Sequence, residues 1–147
     1  MKKLLNIFVL VLCLGFSMET IARDDRRMFS LKDALNTPEA KQRLDPKIRL
    51  FFGKQRHPAI AKNFGEWRTN KKTNAFNKSD KEACEWAFLS AALELQERAK
   101  KEGGNAVVGI KSNYKNAERG SETEYMCGCG AVMAGVALKG NVVRLGK

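Results

Sequence analysis

Four cysteines and one histidine are the residues in this chain whose side chains could do specific chemistry. Cys13 lies in an apolar leader. The working set is therefore Cys84, Cys127, Cys129 and His57. Thiols outside a reducing compartment pair, exchange or hold soft metals. Cys84 falls in the first turn of a helix-like run, and Cys127 and Cys129 sit two apart at a strand junction. A bridge from helix to sheet would close a loop of about 40 residues and contribute on the order of 3 to 4 kcal/mol by restricting the unfolded chain. Cys84 to Cys127 is the preferred pair. On a regular strand both downstream sulfurs point to one face, so Cys129 is an alternative partner; otherwise it is left as a free thiol, a mixed disulfide or an intermolecular bridge. A metal centre of Cys84, Cys127, Cys129 and His57 would offer three sulfurs and one nitrogen. A C-x-C with two distant partners lacks the paired knuckles of structural zinc sites, so the set stands as an alternative and no metal is favoured. His57, followed by Pro58 in a polar link, reads as an exposed loop residue.

Other chemistries find little support. A nucleophilic serine needs a constrained elbow, and no G-x-S-x-G occurs. Carboxylates pair only in charged helix-surface or turn settings, where solvation accounts for them. Gly65 to Thr73 lacks the second glycine before its lysine, and after Gly140 the lysine and hydroxyl positions hold Asn141 and Val142, so neither stretch can cradle a triphosphate. No cofactor is implied. Trp67, Phe76 and Trp86, near Lys71, Lys72 and Lys78, have the makings of a single-strand nucleic-acid surface. The expected reading is instead aromatics in the core and lysines on a solvated loop.

One helix positions these residues. Ser79 stands three before Glu82, the spacing of a capping box, and Gly103-Gly104 stops the run. Cys84, Phe88, Ala91, Ala92, Leu95 and Ala99 fall on one face, widened by Trp86, Leu89 and Leu93. Glu94 with Arg98 and Glu97 with Lys101 are expected ion pairs on the other. The β-branched run from Asn105 to Tyr114 follows at once as a strand. Upstream, Ser30 caps a helical turn to Asn36, Thr37-Pro38 opens a second short helix to Leu44, and Ile48 to Phe52 alternates as a strand. A strand is expected over Phe64 to Thr69, then a surface loop from Asn70 to Lys78 carrying candidate binding residues Lys71, Lys72 and Lys78. Ser121 to Met126, Ala131 to Leu138 and Val142 to Leu145 read as strands, with a bulge or a close backbone approach at Cys127 to Gly130 and a tight turn at Lys139-Gly140-Asn141. The sum is α+β: two layers, a mostly antiparallel sheet covered by one main helix.

Lys2 and Lys3 precede an apolar run from Leu4 to Phe16, and Thr20-Ile21-Ala22 offers a small-residue cleavage site. The run is shorter than the roughly 18 to 20 residues that span a bilayer, so a cleaved signal peptide over 1–22 is expected, with the mature chain starting at Arg23. Leu12 before Cys13 argues against lipid attachment there. Residues 23–46 read as an N-terminal lead-in with short helices, its charged start from Arg23 to Arg27 flexible and solvated, and 47–147 as a single α+β domain. Cleavage would take two lysines and one glutamate from 27 basic and 16 acidic side chains, leaving a formal charge of about +10. After export to the periplasm or beyond, such a charge meets phospholipid head groups, lipopolysaccharide, cell-wall acids or acidic proteins rather than nucleic acid.

The block from Lys72 to Asp80, with Ala83-Cys84 and Trp86 to Ser90, resembles a family of small exported bacterial proteins of unknown function that often carry the label excinuclease ATPase subunit. The missing Walker motif leaves that label without chemical support here. More distantly, Gly104 to Val108 after a helix, and a cysteine-bearing strand ending in Ala134 to Leu138, look like the YbjQ and RcsF-type fold, which includes a disulfide-held lipoprotein sensing envelope stress. Counting back from Gly135, Cys127 falls on one of that sensor's bridged cysteines. Its helix-to-strand cysteine has no counterpart, since Lys111 to Asn113 holds none, and its lipid-attachment cysteine is missing too. The resemblance implies the fold, assembly into rings as an option, and metal binding as suggested for YbjQ-like proteins. The combined expectation is a non-catalytic, disulfide-stapled envelope protein, related to envelope stress, that binds or scaffolds an anionic envelope component. The alternative is a metal or thiol-redox module on Cys84, Cys127 and Cys129.

Overall fold

The computed structural model describes residues 23–147; the leader, its cleavage point and Cys13 lie outside the described residues. The described chain runs β1 (Asp25–Ser30), α1 (Leu31–Leu35), α2 (Pro38–Arg43), β2 (Arg49–Phe52), β3 (Ile60–Asn74), α3 (Asp80–Glu102), β4 (Ala106–Tyr114), β5 (Ala117–Arg119), β6 (Glu124–Cys129) and β7 (Met133–Leu145). It is an α+β fold in two layers, a seven-stranded mixed sheet with α3 packed on one face. Every strand pairing is antiparallel except β2 with β4.

The helix forms where its signals lie. The Ser79 hydroxyl accepts the Glu82 N–H at 3.1 Å, Asp80 and Glu82 place negative charge at the positive end, and Gly103 ends the helix at φ 80°. Its inward stripe alternates small and large residues: Ala83, Cys84, Ala87, Phe88, Ala91, Ala92, Leu95 and Ala99 are buried. The alanines let the helix lie close to the sheet, and Phe88 fills the space between, in ring contact with Tyr125 at 4.5 Å and Phe52 at 5.8 Å. Gln96 is buried on the same helix. It accepts the Asp45 N–H at 2.9 Å and donates to the Asp45 and Ile48 carbonyls at 2.9 and 2.8 Å, fixing the turn before β2.

The central strand is β7. One of its edges is paired along its length by β3, and the other is shared between β6 at Ala134-Gly135 and β4 from Leu138 to Val143. On the face away from α3 a smaller apolar cluster gathers Phe51, Ala106, Val108, Val143 and Leu145.

Several sequence expectations are corrected. Arg23 to Arg27 is no flexible lead-in: β1 pairs residue by residue with β6, and Leu31 and Ala34 join the main core. The stretch from Asn70 to Asn74 continues β3 instead of forming a loop, because its polar side chains suit an outer strand exposed to solvent. Lys139-Gly140-Asn141 is the middle of β7. Gly140 is needed there because a Cβ would come within 2.9 Å of Val107 Cγ1 and 3.0 Å of Ile110 Cγ1. Those side chains crowd it where β4 bulges at Gly109, φ 61°, and further irregularities lie in β3. Of the two features expected as alternatives at Cys127 to Gly130, the bulge is absent and the close approach is found: a Cβ at Gly128 would overlap the Tyr114 ring, and one at Gly130 would lie 2.5 Å from the Met133 carbonyl oxygen. β6 itself runs regularly to Cys129, and the strand expected from Ser121 starts at Glu124. The expected helix-surface pairs are also redistributed: Glu94 meets Lys71 at 2.8 Å, and Arg98 meets Glu102 at 3.6 Å.

Candidate functional site

The three sulfurs meet at one place, where the start of α3 crosses β6. Cys127 and Cys129 alternate with Gly128 and point toward the helix, as strand geometry requires. Cys84 and Cys127 form a disulfide across 43 residues. Cys129 is a free, buried thiol with its Sγ 3.5 Å from the Cys84 Sγ. Burial pushes the Cys129 thiol up, the Asp80 carboxylate adds to that, and Arg27 and Arg23 oppose it, so the group is held neutral.

Beside the sulfurs, β1 is clamped to the helix start. Arg23 donates to both Asp80 oxygens at 3.1 and 2.5 Å, and Arg27 donates to one at 2.9 Å. These hydrogen bonds hold the Asp80 carboxyl below the usual carboxylate range. The three cysteine sulfurs are the only ligand cluster among the described residues, all within 4.8 Å of one another. With two of them bonded together, a three-thiolate set exists only after reduction. His57 is not brought to it. Its ring packs on Phe51 at 5.6 Å, on the far side of the sheet, and Nδ1 lies 2.8 Å from the Pro58 carbonyl oxygen.

The lysines expected to act together separate. Lys71 faces α3 and pairs with Glu94, Lys72 faces the opposite side, and Lys78 lies in the turn after β3, its Nζ donating to the Asn74 carbonyl at 3.1 Å. The aromatics expected in the core also divide: Trp67 and Trp86 are half-buried, with the Arg98 guanidinium 4.0 Å from a Trp67 ring centre, whereas Phe76 is 64% exposed.

The sheet face away from α3 carries basic rows that sequence reading did not assemble. Arg68, Lys139 and Lys111 are aligned across β3, β7 and β4. Lys139 is buried and ion-paired with Glu118 and, at 3.9 Å, with Glu66; Arg68 is exposed and meets Glu66 at 3.5 Å, and Lys111 is exposed. A second row runs Arg26, Gly128, Gly135 and Lys72 across β1, β6, β7 and β3. The Tyr114 ring covers its two glycines, leaving no room for a Cβ at Gly128, and the Arg26 guanidinium lies 5.7 Å from that ring centre. Alternation in Asp25 to Ser30 was the signal that could have placed Arg26 and Arg27 on opposite faces of a strand.

Among the described residues no helix is long and apolar enough to cross a membrane. Compared with protein-family models, curated proteins and solved structures, the chain gives no match.

Proposed function

We propose that this is an exported, non-catalytic binding domain, stapled by Cys84–Cys127, whose basic sheet face meets an anionic component of the cell envelope. The observation that carries the reading is the alignment of exposed Arg68 and Lys111 in one cross-strand row and of Arg26 and Lys72 in the next. Cations set at strand spacing on one face of a rigid sheet sum to a positive field that draws a polyanion. The leader pattern and the helix-to-sheet bond both fit an oxidising compartment. The family and fold resemblance and a place in envelope stress belong to the same proposal.

The test is retention on envelope fractions with and without added salt. Arg68→Glu with Lys111→Glu is expected to weaken retention more than tenfold at low salt, since each cation near an anionic surface is worth about 1 kcal/mol. Unchanged retention would remove the basic face from the account.

One observation favours a second reading, a thiol–disulfide exchange module. With its Sγ 3.5 Å from Cys84, the Cys129 sulfur as thiolate attacks the Cys84 sulfur; the Cys84–Cys129 bond forms, Cys84–Cys127 breaks, and Cys127 leaves as the thiolate that takes the proton. No external oxidant is consumed. Burial of the attacking thiol makes the step slow at neutral pH.

A further inference from the structure

The turns at one end of β3 and β7 carry a different surface. Phe76, Val132 and Met133 are 64, 61 and 46% exposed, the large apolar side chains that the fold leaves outside at this end. They are carried together: the Ala75 N–H donates to the Val132 carbonyl at 2.7 Å, and Asn74 pairs with Met133 at the ends of their strands. Asn77, at φ 60°, turns the chain directly after Phe76, whose N–H is held by the Asn74 side chain at 2.8 Å. Such turns fix the apolar side chains outward and forgo burying them in the core.

Carboxylates at this end are paired, and the charge left unpaired around the tip is positive. Lys72 stands one row behind Met133 on the same strand pair, and Lys78 closes the Phe76 turn; neither has a carboxylate partner among the described residues. Arg26, in the row of Lys72, rests on Tyr114 and also lacks one. By contrast Lys71, Lys81 and Lys115 nearby are ion-paired with Glu94, Asp33 and Asp24.

We propose that this end docks on an anionic phospholipid bilayer, with Phe76, Val132 and Met133 entering the head-group boundary and Lys72, Lys78 and Arg26 meeting the lipid phosphates. Apolar side chains on turns, ringed by unpaired cations, match an interface that is apolar within and negative at its rim. A second copy is a poorer occupant, because tip-to-tip contact brings the same lysines against each other. The inference rests on the proposed meeting with an anionic envelope component and names its chemistry.

The experiment is flotation of the full chain with phosphatidylglycerol–phosphatidylcholine vesicles, titrated in lipid, with phosphatidylcholine alone as the neutral control. Residues 1–22 are common to every variant, and the neutral vesicles record any uncharged affinity they add. The expected result is binding that requires phosphatidylglycerol, falls about tenfold in Phe76→Ser with Val132→Ser, and falls about fivefold in Lys72→Gln. The substituted residues are exposed, and an unchanged melting curve with an intact Cys84–Cys127 bond checks the fold. If the tip variant binds anionic vesicles like the parent while Arg68→Glu with Lys111→Glu does not, the flat basic face docks alone and the tip is refuted. Retention on lipopolysaccharide or an acidic envelope protein without vesicle binding also overturns the bilayer and leaves the broader reading standing. Binding to no anionic component removes both.

Discussion

Replacing Cys127 by alanine is expected to cost far less stability than replacing Cys84, although each removes one half of the same bond. The native bond spans 43 residues, which restricts the unfolded chain by about 4 kcal/mol in the chain-entropy estimate. In Cys127→Ala the Cys129 sulfur, 3.5 Å from Cys84 and 45 residues away, can take over. The two loops differ in entropy by less than about 0.1 kcal/mol. What remains is the loss of one buried sulfur, about 1 kcal/mol. In Cys84→Ala the two remaining cysteines lie two apart on one strand, where a bond would close almost no loop, so the staple is lost. The variants should therefore differ by about 3 to 4 kcal/mol. Urea unfolding without reductant measures the difference, and intact mass after alkylation in denaturant counts the thiols. Equal stabilities, with two alkylated thiols in Cys127→Ala, would refute the reasoning that the three sulfurs form one exchangeable set.

Other outcomes follow from single side chains. Tyr125 is buried with its hydroxyl unpartnered among the described residues, and burial holds the phenol neutral by raising its pKa; Tyr125→Phe is expected to leave stability unchanged or raise it by up to about 1 kcal/mol in a urea titration. Gln96→Leu strips partners from the Asp45 and Ile48 backbone and is expected to cost about 2 to 3 kcal/mol by the same assay. Asp80 has a depressed carboxyl pKa, so its contribution is present above the ordinary value of about 3.9 and is lost as pH falls through the folded value. Asp80→Asn should accordingly flatten the acid limb of the stability profile, and an unchanged limb would count against the Arg23 and Arg27 clamp.

The helix and its bond were legible because their signals are local. Ser79, the Cys84 to Ala99 stripe and Gly103 each act within a turn or two, and an odd cysteine set leaves few pairings. What was hidden depends on partners distant in sequence. Gly140 beside Asn141 has the composition of a turn, but what requires glycine there is the approach of Val107 and Ile110 from β4. Arg26 and Arg27 read as solvated charge because their partners, Tyr114 and Asp80, lie far along the chain. The lysines from 71 to 78 look like one cluster in a string, yet a strand sends neighbours to opposite faces, so Lys71 meets the helix while Lys72 joins Arg26 across the sheet. Phe76 follows Ala75 in what reads as a soluble loop, and nothing in its composition marks it as the exposed member of an apolar tip.

Intact mass and amino-terminal sequencing of the protein recovered from fractionated cells, alkylated before and after denaturation, decide whether the chain is exported and stapled. The expected product is an envelope-derived chain that begins at Arg23, resists alkylation when folded, and takes up one label when unfolded without reductant. A cytoplasmic chain that retains its first 22 residues, or three thiols labelled without reductant, would contradict it.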